Sequence, residues 1–144
     1  MIVSQILKSK TGHGVISVKP SDTVRDAVQL LSENRIGTVV VLEQDDSLAG
    51  ILSERDIVRE LGRRGTSCLD GAVSEMMTSK LITCAPGDGA DAVLEMMTNG
   101  RFRHLPVMEA DQMIGLISIG DVVKARLAEL AMEKNALEGM IMGH

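Results

Sequence analysis

A glycine, two apolar residues and a Ser-x-x-Asp pair occur together at two places in the chain. The two copies span 50–56 (GILSERD) and 115–121 (GLISIGD). A serine that ends a strand caps the helix that follows, and a carboxylate three residues later completes the capping box. The same helix start presents unpaired backbone N–H groups, which suit phosphate, and its carboxylate can accept hydrogen bonds from both hydroxyls of a ribose. The motif therefore predicts either a structural cap or a nucleotide site.

Repetition of the motif favours the nucleotide site. A cap is served equally well by Ser, Thr, Asp or Asn, yet the same pattern, with its glycine, occurs twice. Both copies belong to a longer internal repeat, in which a shift of 66 residues aligns Pro20 with Pro86 and a shift of 65 aligns Ser53 with Ser118. The chain is therefore predicted to contain two copies of one structural unit.

Each copy is predicted to run strand, helix, strand, strand, helix. In the first copy the apolar pattern predicts strands at 15–18, 38–42 and 48–52, with helices that begin at Thr23 and near Ser53. In the second copy it predicts strands at 81–84, 105–108 and 113–117, a helix at 90–98 and a long helix from Ser118. The stretch 62–74 holds three glycines and two arginines and is predicted to be a polar crossover outside the core.

Composition narrows the class of ligand. The formal net charge of −5 disfavours binding to a phosphate polymer. Phe102 is the single aromatic residue, so single-stranded nucleic acid would find no stacking platform. No nucleic-acid polymer is therefore predicted as a partner. No apolar stretch approaches the roughly 18 residues of a membrane span, and the protein is predicted to be cytoplasmic, with no membrane partner.

Signatures of catalysis and metal binding are missing from the sequence. It contains no P-loop, G-x-S-x-G or H-E-x-x-H pattern, and nothing in the spacing places His104 against the Ser53 oxygen in a triad with Asp56. Cys68 and Cys84 have neither the number for a disulfide framework nor the neighbours for zinc. We therefore predict no enzyme activity, no catalytic residue, no metal site and two reduced, partly buried thiols.

This order of elements, closed twice by Gly-h-h-Ser-x-x-Asp, resembles a tandem pair of CBS (cystathionine β-synthase) domains, often called a Bateman module. The segment RFRHLPV at 101–107 is a second hallmark of that family. The resemblance covers about 14–130 and implies an α+β fold of two β-α-β-β-α repeats packed with pseudo-two-fold symmetry. The implied domains are 1–66, with its core at 14–61, and 67–144, with its core at 80–130 and an extended C-terminal helix.

The resemblance also implies a sensor of adenine nucleotides with two pockets between the repeats. Asp56 and Asp121 would hold ribose hydroxyls, and each pocket would take its other wall from the opposite repeat. The Asp56 pocket would contain Ser53, Arg55, Thr83, Cys84, Ala85, Arg103, His104 and Pro106. The Asp121 pocket would contain Ser118, Ile119, Gly120, Ser17, Val18, Lys19, Gly37 and Thr38. Because Arg103 offers a charged donor fork, the Asp56 pocket is predicted to take the more highly charged phosphate end.

The ligand and the partner are predicted only as classes. AMP, ADP, ATP, NAD and S-adenosylmethionine share the adenosine half that the motif addresses, and no obligatory cofactor is implied. The family commonly pairs such modules, and the last helix carries an apolar seam at Val123, Leu127, Leu130 and Leu137, so a homodimer is expected. A ligand sensor that signals to an effector protein is the favoured hypothesis, and the alternative is a structural homodimerisation module with vestigial pockets.

Overall fold

The computed structural model describes residues 1–10 and 14–141 of the protein. In chain order the elements are α1 (Val3–Ser9), β1 (Ser17–Val18), α2 (Val24–Asn34), β2 (Thr38–Leu42), β3 (Leu48–Ser53), α3 (Glu54–Arg64), a 3₁₀ helix (Thr66–Asp70), α4 (Val73–Met76), α5 (Ala90–Gly100), β4 (His104–Glu109), β5 (Gln112–Ser118) and α6 (Ile119–Ile141). Two separate apolar clusters form the core, one around each copy of the repeat.

The first copy contains a three-stranded sheet in the order β1-β2-β3. β2 pairs in parallel with β1 and antiparallel with β3, and Thr38 lies opposite Ser53. Val39, Val40 and Val41 are fully buried, as their unbroken apolar run predicts for a strand covered on both faces. β1 is shorter than the predicted 15–18, although the amide of Val40 still donates to the carbonyl of Ile16 at 3.1 Å.

The second copy departs from the prediction in its first strand. The described residues contain no strand at 81–84, and only Cys84 forms an isolated parallel bridge, with Val107. The position that matches Val40 is Pro106, which has no N–H, so the bond that Val40 donates to Ile16 has no counterpart at Ile82. The predicted strand was therefore wrong, and the second sheet consists of β4 and β5 alone.

The stretch 62–74 is not the polar crossover outside the core that was predicted. It contains the 3₁₀ helix and the start of α4, and Cys68 and Val73 are buried in the core of the first copy. Their apolar side chains are separated by Gly71, whose extended backbone joins the two helical turns. The glycines and arginines of this stretch suggested a polar linker, and they obscured the fact that Cys68 and Val73 pack in the core. Cys68 and Cys84 are both free thiols and are buried rather than partly buried.

A second internal repeat, not found in the sequence analysis, precedes each copy. The eight residues of 3–10 (VSQILKSK) match those of 73–80 (VSEMMTSK) at a shift of 70. Equivalent backbone bonds anchor the two segments, because the amide of Val3 donates to Asp88 O at 2.9 Å and the amide of Val73 donates to Asp22 O at 2.8 Å. The segment before the first copy, which contains α1, therefore packs with the second copy. The segment before the second copy, which contains α4, packs with the first copy.

The compact units of the structure reflect these exchanged segments. Among the described residues, one unit comprises 1–10, 82–109 and 114–141, and the other comprises 14–81 and 110–113. This division differs from the predicted domain boundaries of 1–66 and 67–144, because residues 1–10 pack with the second copy and residues 67–81 with the first. The first unit has its core at Val93, Leu105 and Ile117, and the second at Val39, Leu52 and Val73.

The glycine of each Gly-h-h-Ser-x-x-Asp motif makes room for one of these segments. A Cβ added to Gly50 would lie 2.6 Å from the carbonyl oxygen of Thr78, and one added to Gly115 would lie 2.9 Å from Cδ2 of Leu7. The Thr78 carbonyl is held in place because it accepts from the amide of Ile51 at 3.0 Å, whereas a leucine methyl can rotate away. Packing thus accounts for the repeated glycine, without a ligand.

Replacing Gly50 by alanine should destabilise the protein by about 1–3 kcal/mol, because backbone must move to admit the methyl group. Gly115→Ala should cost less, since only the Leu7 side chain has to shift. Urea unfolding monitored by circular dichroism measures both. Gly62→Ala is the control, because a Cβ there meets nothing within 4 Å and alanine favours the helix. A Gly50→Ala protein as stable as the Gly62→Ala protein would contradict this account.

Candidate functional site

The junction of β3 with α3 is closed by a reciprocal set of hydrogen bonds. The amide and the hydroxyl of Ser53 donate to Oδ2 of Asp56 at 3.1 and 3.0 Å, and the amide of Asp56 donates back to the Ser53 hydroxyl at 3.2 Å. Asp56 is buried. The capping box predicted from the sequence is therefore present, and it fixes the orientation of the carboxylate.

The junction of β5 with α6 has the same geometry. The amide of Ser118 donates to Oδ2 of Asp121 at 2.9 Å, and the amide of Asp121 donates to the Ser118 hydroxyl at 3.1 Å. In both copies, then, the backbone itself holds the carboxylate at the first turn of a helix, where the helix dipole also favours negative charge. The two aspartates share the pair of backbone capping bonds, while Asp56 is buried and Asp121 is only partly buried.

The cations that accompany the two carboxylates come from different elements. Arg59, one turn along α3, donates to Oδ1 of Asp56 at 2.8 Å. Asp121 instead pairs with Lys10, at the end of α1, whose Nζ lies 2.9 Å from Oδ2. In the described part of the chain no group donates a hydrogen bond to Oδ1 of Asp121. Both oxygens of Asp56 therefore have donors, whereas Oδ1 of Asp121 has none among the described residues.

The electrostatics of Asp121 follow from these partners. Partial burial raises the pKa of its carboxyl, but the amide of Ser118 and the ammonium of Lys10 together outweigh burial, so the pKa lies below its ordinary value of 3.8. Asp121 is therefore ionised at neutral pH and able to accept hydrogen bonds from a ligand.

The strand ends beside each junction hold further predicted residues. The amide of Glu54 donates to the carbonyl of Gly37 at 2.8 Å, and Thr38 pairs with Ser53 across β2 and β3. In the second copy, the amide of Ile119 donates in the same way to the carbonyl of Arg103 at 2.8 Å. Within its own unit each carboxylate thus has these strand ends as neighbours. The arrangement across the repeats, with Arg103 serving Asp56, stays a prediction.

The remaining predicted residues lie on the same two units. Ser17 and Val18 form β1, and the Lys19 ammonium donates to the carbonyl of Glu43 at 3.0 Å. Arg55 is exposed on the first turn of α3, and Gly120 lies in the first turn of α6. Residues 83–85 and 104–106 flank the bridge between Cys84 and Val107, with Thr83 and Ala85 exposed, Pro106 buried and His104 half-buried.

Cys84 is a packing residue and not a nucleophile. Burial, and to a smaller degree the carboxylate of Asp88, raises the pKa of its thiol to about 11. At neutral pH the side chain is therefore the protonated thiol, which is unreactive. Residues 1–10 and 14–141 contain no group of three His, Cys, Asp or Glu side chains placed to hold a metal ion, and no helix within them is long and apolar enough to cross a membrane.

Lys10 and Lys124 lie beside Asp121 and were not among the residues predicted from the sequence. Together with Asp121 and Ser9 they line a cavity of about 320 Å³ between α1 and α6. The available signal was the second repeat, because Lys10 ends the segment that matches 73–80. Lys124 was detectable as the residue one helical turn after Asp121, where Arg59 stands relative to Asp56.

Replacing Lys10 by glutamine should lower the free energy of unfolding by less than about 1 kcal/mol at pH 7, because the ion pair is partly exposed. The pKa of Asp121 is lowered by folding, so this stabilisation is complete above 3.8 and is lost as the pH falls through the folded pKa. Urea titrations at several pH values measure the difference from the unsubstituted protein, which should shrink on acidification. A stability difference that does not change with pH would contradict the proposed role of the ion pair between Lys10 and Asp121. Lys8→Gln, at an exposed lysine of the same segment, serves as the control.

Comparison with known proteins identifies both halves of the chain. The family model for the CBS domain matches residues 3–63 and 73–128. A mitochondrial CBS domain-containing protein of Arabidopsis thaliana is 36% identical over 148 residues, which cover 98% of this chain and 72% of that protein. The matched family is the one that the sequence resembles.

Solved structures agree with this assignment. A CBS-domain protein from Agrobacterium tumefaciens is 41% identical, with a TM-score of 0.82 over 87% of this chain and 92% of that chain. A CBS domain protein from Pyrobaculum aerophilum, solved in complex with AMP, is 28% identical, with a TM-score of 0.77 over 92% of this chain and 99% of that chain. The predicted α+β fold of two tandem repeats is confirmed.

Proposed function

Because the chain belongs to the CBS domain family, we propose that it is a regulatory module that binds an adenine nucleotide through Asp56 and Asp121. One observation carries the proposal: in each copy a carboxylate is fixed at a helix start by the amide of the serine three residues earlier. A carboxylate held in this way is oriented before a ribose arrives, so little entropy is lost on binding. The Pyrobaculum aerophilum relative, complexed with AMP, supports the ligand class.

The two carboxylates accept a ribose by different routes. The open Oδ1 of Asp121 can take a hydroxyl directly. At Asp56 a hydroxyl must replace the guanidinium of Arg59, whose side chain is 58% exposed. Because the arginine end of the pair is largely exposed, a bound nucleotide can displace the guanidinium into solvent while its hydroxyl takes over the hydrogen bond to the buried carboxylate.

The ligand is proposed from among AMP, ADP, ATP and NAD, with S-adenosylmethionine as a further adenosine compound. The proposed pockets are those implied by the resemblance, with Arg103 and His104 serving Asp56. Occupancy would be read by an effector protein, and a coupling of about 1–3 kcal/mol between ligand and effector is sufficient for regulation. The proposed role is binding without catalysis, and a cytoplasmic location stays a prediction from the sequence.

A structural role with vestigial pockets is the second candidate function. The observation that favours it is at Asp56, where the capping box and Arg59 occupy both carboxylate oxygens without any ligand. Under this hypothesis each aspartate only closes its helix, and the module serves to hold two copies of the chain together.

Asp56→Asn and Asp121→Asn should each weaken binding of AMP by about tenfold to hundredfold, because each removes charge-assisted hydrogen bonds to a ribose. The side-chain oxygen of asparagine can still accept from the amide of the capping serine, so the capping box and the fold should persist. Isothermal titration calorimetry measures the affinity and the number of sites, and circular dichroism verifies the fold.

The exposed Asp111, in the turn between β4 and β5, provides the control substitution Asp111→Asn. The chain has no Trp or Tyr, so a 260 nm band in the purified protein would report a nucleotide carried through purification. If neither aspartate variant differs from Asp111→Asn, and the unsubstituted protein binds no adenine compound at millimolar concentration, the structural role is the correct one.

A homodimer through α6 is part of the proposal. Leu127, Leu130 and Leu137 are 63%, 49% and 59% exposed. Successive positions of this face are alternately four and three residues apart along the helix: Val123, Leu127, Leu130, Lys134, Leu137 and Ile141. This spacing is typical of a helix that packs lengthwise against another helix. A second copy of the chain supplies an identical apolar seam, and its Lys134 limits how closely the two helices approach at that level.

Leu130→Glu combined with Leu137→Glu should shift the protein from dimer to monomer, because each places a charge within the apolar seam. Analytical ultracentrifugation measures the change. Ala136→Glu, on the outer face of the same helix, is the matched control and should leave the dimer intact. If the unsubstituted protein is a monomer at a concentration of about 100 micromolar, the proposed pairing is wrong.

A further inference from the structure

The repeated segments 3–10 and 73–80 end in lysines with different surroundings. Lys10 lies 2.9 Å from Oδ2 of Asp121 and also donates to the carbonyl of Leu116 at 3.0 Å. Lys80, its counterpart, is exposed and forms no ion pair with a described residue. One repeat thus receives a cation from outside its own helix, and the other does not.

This difference makes the charges around the two carboxylates unequal. Lys10, Lys124 and Asp121 line one cavity and together carry a net charge of +1. Around Asp56 the start of α3 carries Glu54 and Arg55 at the positions that Ile119 and Gly120 occupy in α6, so Glu54, Arg55, Asp56 and Arg59 together carry no net charge. Within its own unit Asp121 therefore has the more positively charged surroundings, which suit an anionic group. The prediction that the Asp56 pocket takes the more highly charged phosphate end depends on Arg103 from the other repeat and stays a prediction.

The hydrogen-bond inventory at Asp121 leaves room for a ligand with Lys10 in place. An ammonium group has three N–H donors, and two of them are used by Asp121 and by the Leu116 carbonyl. No residue within 1–10 or 14–141 accepts from the third donor, which can then meet an incoming oxygen. Since Lys10 contacts Oδ2 of Asp121 and no described residue donates to Oδ1, a ribose and an anionic group can be held at the same time.

We propose that Lys10 is a binding residue of the Asp121 site and makes that site selective for adenosine ligands that carry phosphate. The inference rests on the proposed function, since it assumes that Asp121 grips the ribose. The ammonium of Lys10 holds Oδ2 of Asp121 and donates its third N–H to a phosphate oxygen, with Lys124 adding positive charge one helical turn away. An uncharged nucleoside gains nothing from this donor.

Lys10→Gln tests the proposal, and Lys80→Gln is its matched control, because both replace a lysine at the same position of the repeated segment. Both substitutions are made in the Asp56→Asn background, where the Asp121 site is measured alone. Isothermal titration calorimetry with AMP and with adenosine gives the affinities. Lys10→Gln should weaken AMP binding about tenfold or more and change adenosine binding less than about threefold. Lys10→Arg should restore most of the AMP affinity.

The other outcomes overturn the inference in distinguishable ways. If Lys10→Gln tightens AMP binding, the lysine blocks Asp121 and is not part of the site. If AMP and adenosine weaken equally, or if Lys80→Gln has the same effect, the role of Lys10 is structural. If Asp56→Asn abolishes all binding, Asp121 is no site, and the proposed function is restricted to Asp56. If the unsubstituted protein binds neither compound, the proposed function fails along with the inference.

Discussion

Each closing helix begins with a serine and an aspartate that bind each other's backbone amides, and this local exchange constrains everything built at the two junctions. The aspartate gives one carboxylate oxygen to the serine amide. What a repeat can bind then depends on the other oxygen and on the cation nearby. At Asp56 the cation is Arg59, supplied locally by the same helix. At Asp121 it is Lys10, supplied by a distant segment, so two copies of one motif acquire different chemistry.

The exchanged segments give the two copies their shared architecture. α1 precedes the first copy but contributes Ile6 to the core of the second copy. α4 precedes the second copy but contributes Met76 to the core of the first copy. The glycines of the motif fit this arrangement, since Gly50 and Gly115 leave space for Thr78 and Leu7. The glycine of the family motif is thus explained by packing. The hypothesis of nucleotide binding therefore depends on the serine and the aspartate of the motif and not on its glycine.

The sequence predicted those features whose causes are local. Ser53 and Asp56 are three residues apart, so their capping box follows from helix geometry alone, and the valines of β2 indicate their own burial. The strand at 81–84 failed because one residue, Pro106, lacks the N–H that its counterpart Val40 uses. The prediction treated the two copies as more alike than this residue allows.

Features that depend on distant pairing were missed. α1 is short, and nothing in its composition requires a helix until the second copy covers Val3 and Ile6. Its repeat with 73–80 has a different shift from the main one, so aligning the copies at 66 conceals it. The partner of Lys10 was equally hidden, because a flexible ammonium can reach many carboxylates and only the folded chain selects one.

The exchange of α1 has a consequence for how the chain reaches its native state. Lys10 contacts Leu116 across a separation of 106 residues, so during synthesis α1 leaves the ribosome long before its partner strand exists. The core that receives Val3 and Ile6 is completed only after β5 and α6 have been synthesised, whereas α4 follows the first copy directly in the chain. The order of synthesis therefore favours early closure of the first core and delays the second, in keeping with the slow formation of contacts between distant parts of a chain.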